Sequence, residues 1–161
     1  MKKILSIVLI TVLLLCTASI GVNAATAKEV VVSENTEYFE DGSSITTTIT
    51  QIVSNSKNLA RATRNLTGSK TKTVKNSDGD VLFKFKITAT FLVNDGVSAT
   101  CTAVSCSASD LASGWSLDSY STSKSGNTAR ATGIFKYTVL IASKTQEVVN
   151  TLTCSTTGTL S

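Results

Sequence analysis

Three of the four cysteines, a pair of aspartates around a glycine and a few serines beside lysines are the residues of this chain whose types suit chemistry. Asp78-Gly79-Asp80 offers two carboxylates that would suit calcium, or an acid/base pair for glycoside hydrolysis. Local spacing supplies no third or fourth oxygen ligand, and Asp-Gly is a preferred turn dipeptide, so a plain turn is the better reading. Ser123-Lys124-Ser125 and Ser143-Lys144 contain the residue types of a Ser–Lys dyad but fall in turn-like stretches. Cys106 is a candidate nucleophile without an obvious base, because the chain has no histidine. That absence also removes His-based triads and His-ligated zinc. No catalytic residue, cofactor or metal is expected, and the chain reads as a non-enzyme. A carboxylate-based hydrolase is a lesser alternative, which turnover of glycans would reveal.

Binding is the better functional class. Trp115, Tyr120, Tyr38 and Phe39 are the candidates for an aromatic platform that stacks on sugar rings. For Trp115 burial in the core is favoured. Tyr120 lies at odd separation from Trp115 along one strand, so the alternation predicts that it points outward when Trp115 points inward.

The elements that must hold these residues start with a leader. Met1-Lys2-Lys3 is basic, Ile4 to Leu15 is apolar, and Val22-Asn23-Ala24 places small residues before a cleavage point. This layout predicts a secretory signal peptide over 1–24 and no transmembrane segment after cleavage. Leu15 before Cys16 is too bulky for lipid attachment at that cysteine. The remaining 137 residues suit one domain. With Lys2 and Lys3 set aside, 13 basic and 11 acidic residues remain, too balanced for a nucleic-acid partner. Lys70, Lys72 and Lys75 read as a solvated strand face. Serine and threonine form about a third of the chain after Ala24, which suits half-exposed strands and turns.

Period-two alternation dominates. Strands are expected over 29–33 and 36–40 (one strand or two), 44–53, 70–75, 81–93, 97–104, 115–121, 129–141 and 147–155. Asp41-Gly42, Asn76 to Asp80, Asn94-Asp95-Gly96, Ser125-Gly126-Asn127 and Ser143 to Gln146 are the turns between them. Residues 54–68 read as a short helix carrying Leu59, Ala62 and Leu66, or as a polar connection. Residues 105–114 read as a loop. Asn65-Leu66-Thr67 matches a glycosylation sequon, to which a bacterial-type leader gives little weight. Gly133, inside a strand, suggests a bend or close packing against a ring. The fold class expected is all-β: an antiparallel β-sandwich, or a partly open barrel, as a single domain. Within it, 25–68 form an N-terminal hairpin and connection, and 69–161 the core sandwich.

Oxidation outside the cell would leave one cysteine over. Loop entropy favours Cys101–Cys154, at about 4 kcal/mol, over Cys101–Cys106, at about 2 kcal/mol. The apolar strand contexts of Cys101 and Cys154 favour the same pair, with Cys106–Cys154 next. A free Cys106 would allow a disulfide-linked dimer. The order Cys101, Trp115, Cys154 resembles the immunoglobulin arrangement of a ring on a disulfide. Only seven residues follow Cys154, and Leu152 stands where that family has tyrosine. The idea of a ring near the disulfide is kept and the family is not.

A closer resemblance lies in NSDGDVLFKFKITATFLVNDGVSATCTAVS, Trp115, SKSGNTARATGIFKYTV and LTCSTTGTLS. These stretches, spanning about Lys70 to Ser161, are similar to small exported proteins of Gram-positive, Clostridium-type bacteria. The resemblance implies a β-sandwich with no assigned activity, and pairing of Cys101 with Cys154. It carries over no catalytic residue. The function expected is secreted, non-enzymatic binding of a cell-wall or host glycan at the bacterial surface. The alternative is a secreted toxin or bacteriocin-like antagonist, which the lack of a basic amphipathic helix disfavours.

Overall fold

In the computed structural model of the chain, residues 28–53, 63–139 and 142–161 are described. The expected leader and the start of the expected 54–68 helix lie outside them. Eight strands follow in order: β1 (Lys28–Tyr38), β2 (Ser44–Val53), β3 (Thr63–Lys75), β4 (Val81–Asn94), β5 (Ser98–Ser109), β6 (Trp115–Ser125), β7 (Thr128–Val139) and β8 (Ala142–Thr153). All pairings are antiparallel. They form one five-stranded sheet, β1-β2-β3-β4-β5, and one three-stranded sheet, β6-β7-β8. The fold is all-β, two open sheets rather than a barrel, as a β-sandwich requires.

The strands exist where alternation is cleanest. On β4, Phe83, Phe85, Ile87, Ala89, Phe91 and Val93 are buried, while the residues between them are half-buried or exposed. Ala129, Ala131 and Phe135 answer from β7, and Val148 and Leu152 from β8. Phe135 stacks on Phe83 with centroids 3.9 Å apart and meets Phe85 edge-on at 5.6 Å. Each of the buried Phe, Ile, Leu and Val side chains contributes about 1.5–3 kcal/mol from removal from water. Gly133 sits beside these rings: a Cβ there would stand 3.0 Å from Phe85 and from Phe135. Close packing against a ring, rather than a bend, is the reason for this glycine.

The glycine turns fall where expected, with positive φ at Gly42, Gly79, Gly96 and Gly126. Ser143 to Gln146, expected as a turn, instead runs in β8, paired with β7 opposite Thr138 to Phe135. Other elements differ from the sequence reading. β5 runs on through residues 105–109, because the small residues of SATCTAVSCSAS pair with β4 as far as Ser109 opposite Lys84. Leu66 is buried on β3, not on a helix. Extra residues, at Val32 in β1, Leu82 in β4, Thr102 in β5 and Asp118 in β6, bulge the ladders.

The small sheet sits off-centre. β8 packs over β3 and β4, β7 over β4 and β5, and β6 over β5. The β1–β2 hairpin therefore extends the large sheet past its cover. After β8 the chain turns back: Thr153 and Ser161 exchange backbone hydrogen bonds at 2.9 and 3.1 Å, and Leu160 is 8% exposed. Leu160 lies over Gly68, where a Cβ would collide with Leu160 Cδ1.

Candidate functional site

The outer face of the large sheet carries an extended array of polar side chains. β2 reads Ser44-Ile45-Thr46-Thr47-Thr48-Ile49-Thr50. Ile45 and Ile49 belong to the inner side, so Thr46, Thr48 and Thr50 stand on the outer one. Register aligns them into rows across four strands. Tyr38, Ser44, Lys75 and Val81 form one, Thr36, Thr46, Thr73 and Lys84 the next, and Glu34, Thr48, Thr71 and Lys86 a third.

A shallow groove of about 480 Å³ lies over these rows, lined by Glu34, Thr36, Tyr38, Ser44, Thr46, Thr48, Thr73, Lys75, Val81 and Lys84. Four strands span about 14 Å at the usual strand spacing. Thr36 and Thr46 share a hydroxyl hydrogen bond of 3.0 Å, and Thr48 donates to Glu34 at 3.1 Å. Tyr38, 80% exposed, stands at the rim. Charge is divided: Glu34 lies on β1, while Lys75 and Lys84 lie on β3 and β4, Lys84 being paired with Asp110 at 2.7 Å. Neutral hydroxyls fill the middle.

Beside the groove, Glu29 accepts from Thr50 at 2.5 Å, and from Ser69 and Lys86 at 3.0 Å each. The Thr50 hydroxyl, then the Lys86 ammonium, hold its carboxyl down to about 2 from 4.5, against a smaller opposing effect of burial. A depressed carboxylate lends stability above its unfolded value and loses it as pH falls through the folded one. The hold of Glu29 on β3 and β4 is thus complete above about 4.5 and lost towards about 2. A carbon-detected NMR titration of the Glu29 carboxyl is expected to give a midpoint near 2. A midpoint near 4.5 would show that the three donors do not act on it in solution.

The aromatic candidates do not assemble into one platform. Trp115 is half-buried, 5.0 Å from Phe83 and 5.3 Å from Tyr137. Trp115 is therefore not a ring near the cysteines: Phe83 lies eight residues, about 26 Å, along β4 from Phe91, the buried ring that pairs with Cys101. Tyr120 is 64% exposed, yet not for the reason given by alternation. The extra residue Asp118 resets the phase, so Tyr120 pairs with the inward-facing Gly133, while Trp115 pairs with Tyr137 and Leu117 with Phe135. Tyr120 shares the inner side with Trp115 and is exposed because β6 is an edge strand. Phe39 is 47% exposed in the turn after β1.

The expected Cys101–Cys154 bond is not formed; Cys101, Cys106 and Cys154 are free thiols. Both members reach the same end of the sandwich, but the Gly126-Asn127 turn lies between them. Gly126 accepts the Cys101 N–H at 2.7 Å, and Asn127 the Cys154 N–H at 3.1 Å. Each sulfur is turned to a local carbonyl, of Ala103 and Ser155 respectively. Burial raises all three thiol pKa values, which disfavours the reactive thiolate, including that of half-buried Cys106.

Asp78 and Asp80 sit in a turn organised by Asn76, whose side-chain oxygen accepts their N–H groups at 3.1 and 2.8 Å. Among the described residues no cluster of His, Cys, Asp or Glu is arranged to hold a metal. Lys124 donates to the Thr102 carbonyl on β5. Lys70 and Lys72 face inward, opposite Ile87 and Phe85, rather than lining a solvated face. The threonine rows escape a linear reading, since residues from 34 to 86 contribute. Their one sequence signal is the doublet spacing of Thr46 with Thr48 and Thr71 with Thr73. Comparison with protein-family models, characterised proteins and solved structures finds no match to this chain.

Proposed function

We propose that the protein is an exported, non-enzymatic binding module that takes a short stretch of glycan along the outer groove of the five-stranded sheet. The observation that carries this is the row arrangement: hydroxyls of Thr36, Thr46, Thr48 and Thr73 share one face with the exposed ring of Tyr38. Sugars present hydroxyls that exchange hydrogen bonds with such a lining, and apolar ring faces that stack on an aromatic. The leader-like residues 1–24 support export, and with it a cell-wall or host polymer as ligand.

Tyr38 replaces Tyr120 as the residue to test. The purified protein is mixed with insoluble peptidoglycan, teichoic-acid-bearing wall or mucin and sedimented. Saturable binding to one polymer is expected, weakened about three- to tenfold by Tyr38→Ala, the size of one stacking contact. Tyr120→Ala, on the other sheet, leaves it unchanged. Retention on none of the polymers, or equal binding by the Tyr38 variant, rejects this site.

A further inference from the structure

We propose that the open edge of β8 accepts an extended polypeptide segment of a partner protein, one with acidic side chains at alternate positions, as a fourth strand of the small sheet. The site lies on the inner side of the large sheet, and the inference does not rest on the glycan reading.

Strand addition has already begun there. Thr153 exchanges both backbone hydrogen bonds with Ser161, and Cys154 bridges to Leu160 on the edge away from β7. Backbone groups alternate in direction along an antiparallel strand, so Thr151, Val149, Glu147 and Thr145 present theirs to this same edge. Among the described residues no strand pairs with them there. Leu160 shows what an added strand does with its inward side chains: it seats one over Gly68 of β3. The next places along β3 on that side are Lys70 and Lys72.

Those two lysines give the slot its chemistry. Both are half-buried, and no carboxylate of the described residues forms an ion pair with either. Burial, and then the neighbouring Lys72, lower the pKa of Lys70. Beyond them the inner face of β2, with half-buried Ile45 and Thr47, has no strand of the small sheet packed on it among the described residues. A strand that brings carboxylates over Lys70 and Lys72 relieves their repulsion, covers that ledge and satisfies the free backbone groups.

The probe is a fluorescent peptide, acetyl-Thr-Glu-Val-Glu-Val-Glu-Thr-amide, with a counterpart in which lysine replaces glutamate. Fluorescence anisotropy is expected to show the acidic peptide bound about tenfold more tightly than the basic one, less so as salt rises. Lys70→Ser with Lys72→Ser removes the preference. N-methylation of the peptide's alternate amides removes binding while leaving the protein untouched. Hydrogen exchange then slows at Thr145, Glu147, Val149 and Thr151. Equal affinity for the two peptides, or protection on β1 or β5 instead, overturns the proposal. Protection of the β8 amides on concentrating the protein alone also overturns it, by assigning the edge to a second copy.

Discussion

Asn150→Asp is expected to destabilise the protein strongly at neutral pH and to recover most of that stability in acid. Asn150 is fully buried on β8, and its Nδ2 donates to the carbonyls of Lys70, at 2.7 Å, and Phe85, at 3.2 Å. These bonds tie the small sheet to β3 and β4 through the core. Its Oδ1 has no partner, so the site already tolerates one unmet acceptor. A carboxylate there would set negative oxygen against two carbonyl oxygens out of reach of water. The cost is at least about 3 kcal/mol, a large share of the stability of a small domain. The introduced carboxyl would have its folded pKa raised above its unfolded one. Its stability is then greatest below the unfolded value and is lost as pH rises through the folded value. Urea melts at pH 7 and pH 4 test this. Asn150→Leu, similar in volume and uncharged, loses both hydrogen bonds and is expected to cost about 1–3 kcal/mol, the same at both pH values. Equal stability of the aspartate variant at the two pH values would refute the account.

Phe135→Ala should be the most damaging apolar truncation, at about 3–5 kcal/mol. Phe135 is the ring that both Phe83 and Phe85 touch, and it closes the space that Gly133 leaves open. Around it stand residues of two sheets that cannot move together without breaking ladder bonds, so the cavity stays. With a urea dependence of about 1–3 kcal/mol per molar, the unfolding midpoint falls by more than about 1 M. Tyr120→Ala, on an exposed edge, is expected to change stability by less than about 0.5 kcal/mol. A Phe135 loss as small as that would mean the core centre lies elsewhere.

Turns and strongly alternating strands were legible in the sequence because both signals are local. Asp41-Gly42 and Asn94-Asp95-Gly96 demand backbone conformations that few residues adopt, and the phenylalanine positions of β4 leave one choice of inner face. Bulges were not legible. Asp118 carries no mark that it is the extra residue of its ladder, yet it moves Tyr120 to the other face. β5 was cut short because serine and alanine are common to strands and loops alike, and pairing with β4 decides between them. Register across four strands, which assembles the threonine rows, and the offset of one sheet on the other depend on contacts distant in sequence. For the same reason Lys70 and Lys72 looked like surface residues.

In both sheets each strand lies beside its neighbour in the chain. Hairpins can therefore zip in order from the N-terminal side, each closing a short loop at small entropic cost. The five-stranded sheet needs nothing beyond Ser109 for its own pairing, so it can form while the rest of the chain is still emerging. Docking is complete only when β8 has brought Asn150 to the carbonyls of Lys70 and Phe85 and Leu160 lies over Gly68. The large sheet can thus pair before its cover exists, and the shared core closes only once β8 is in place.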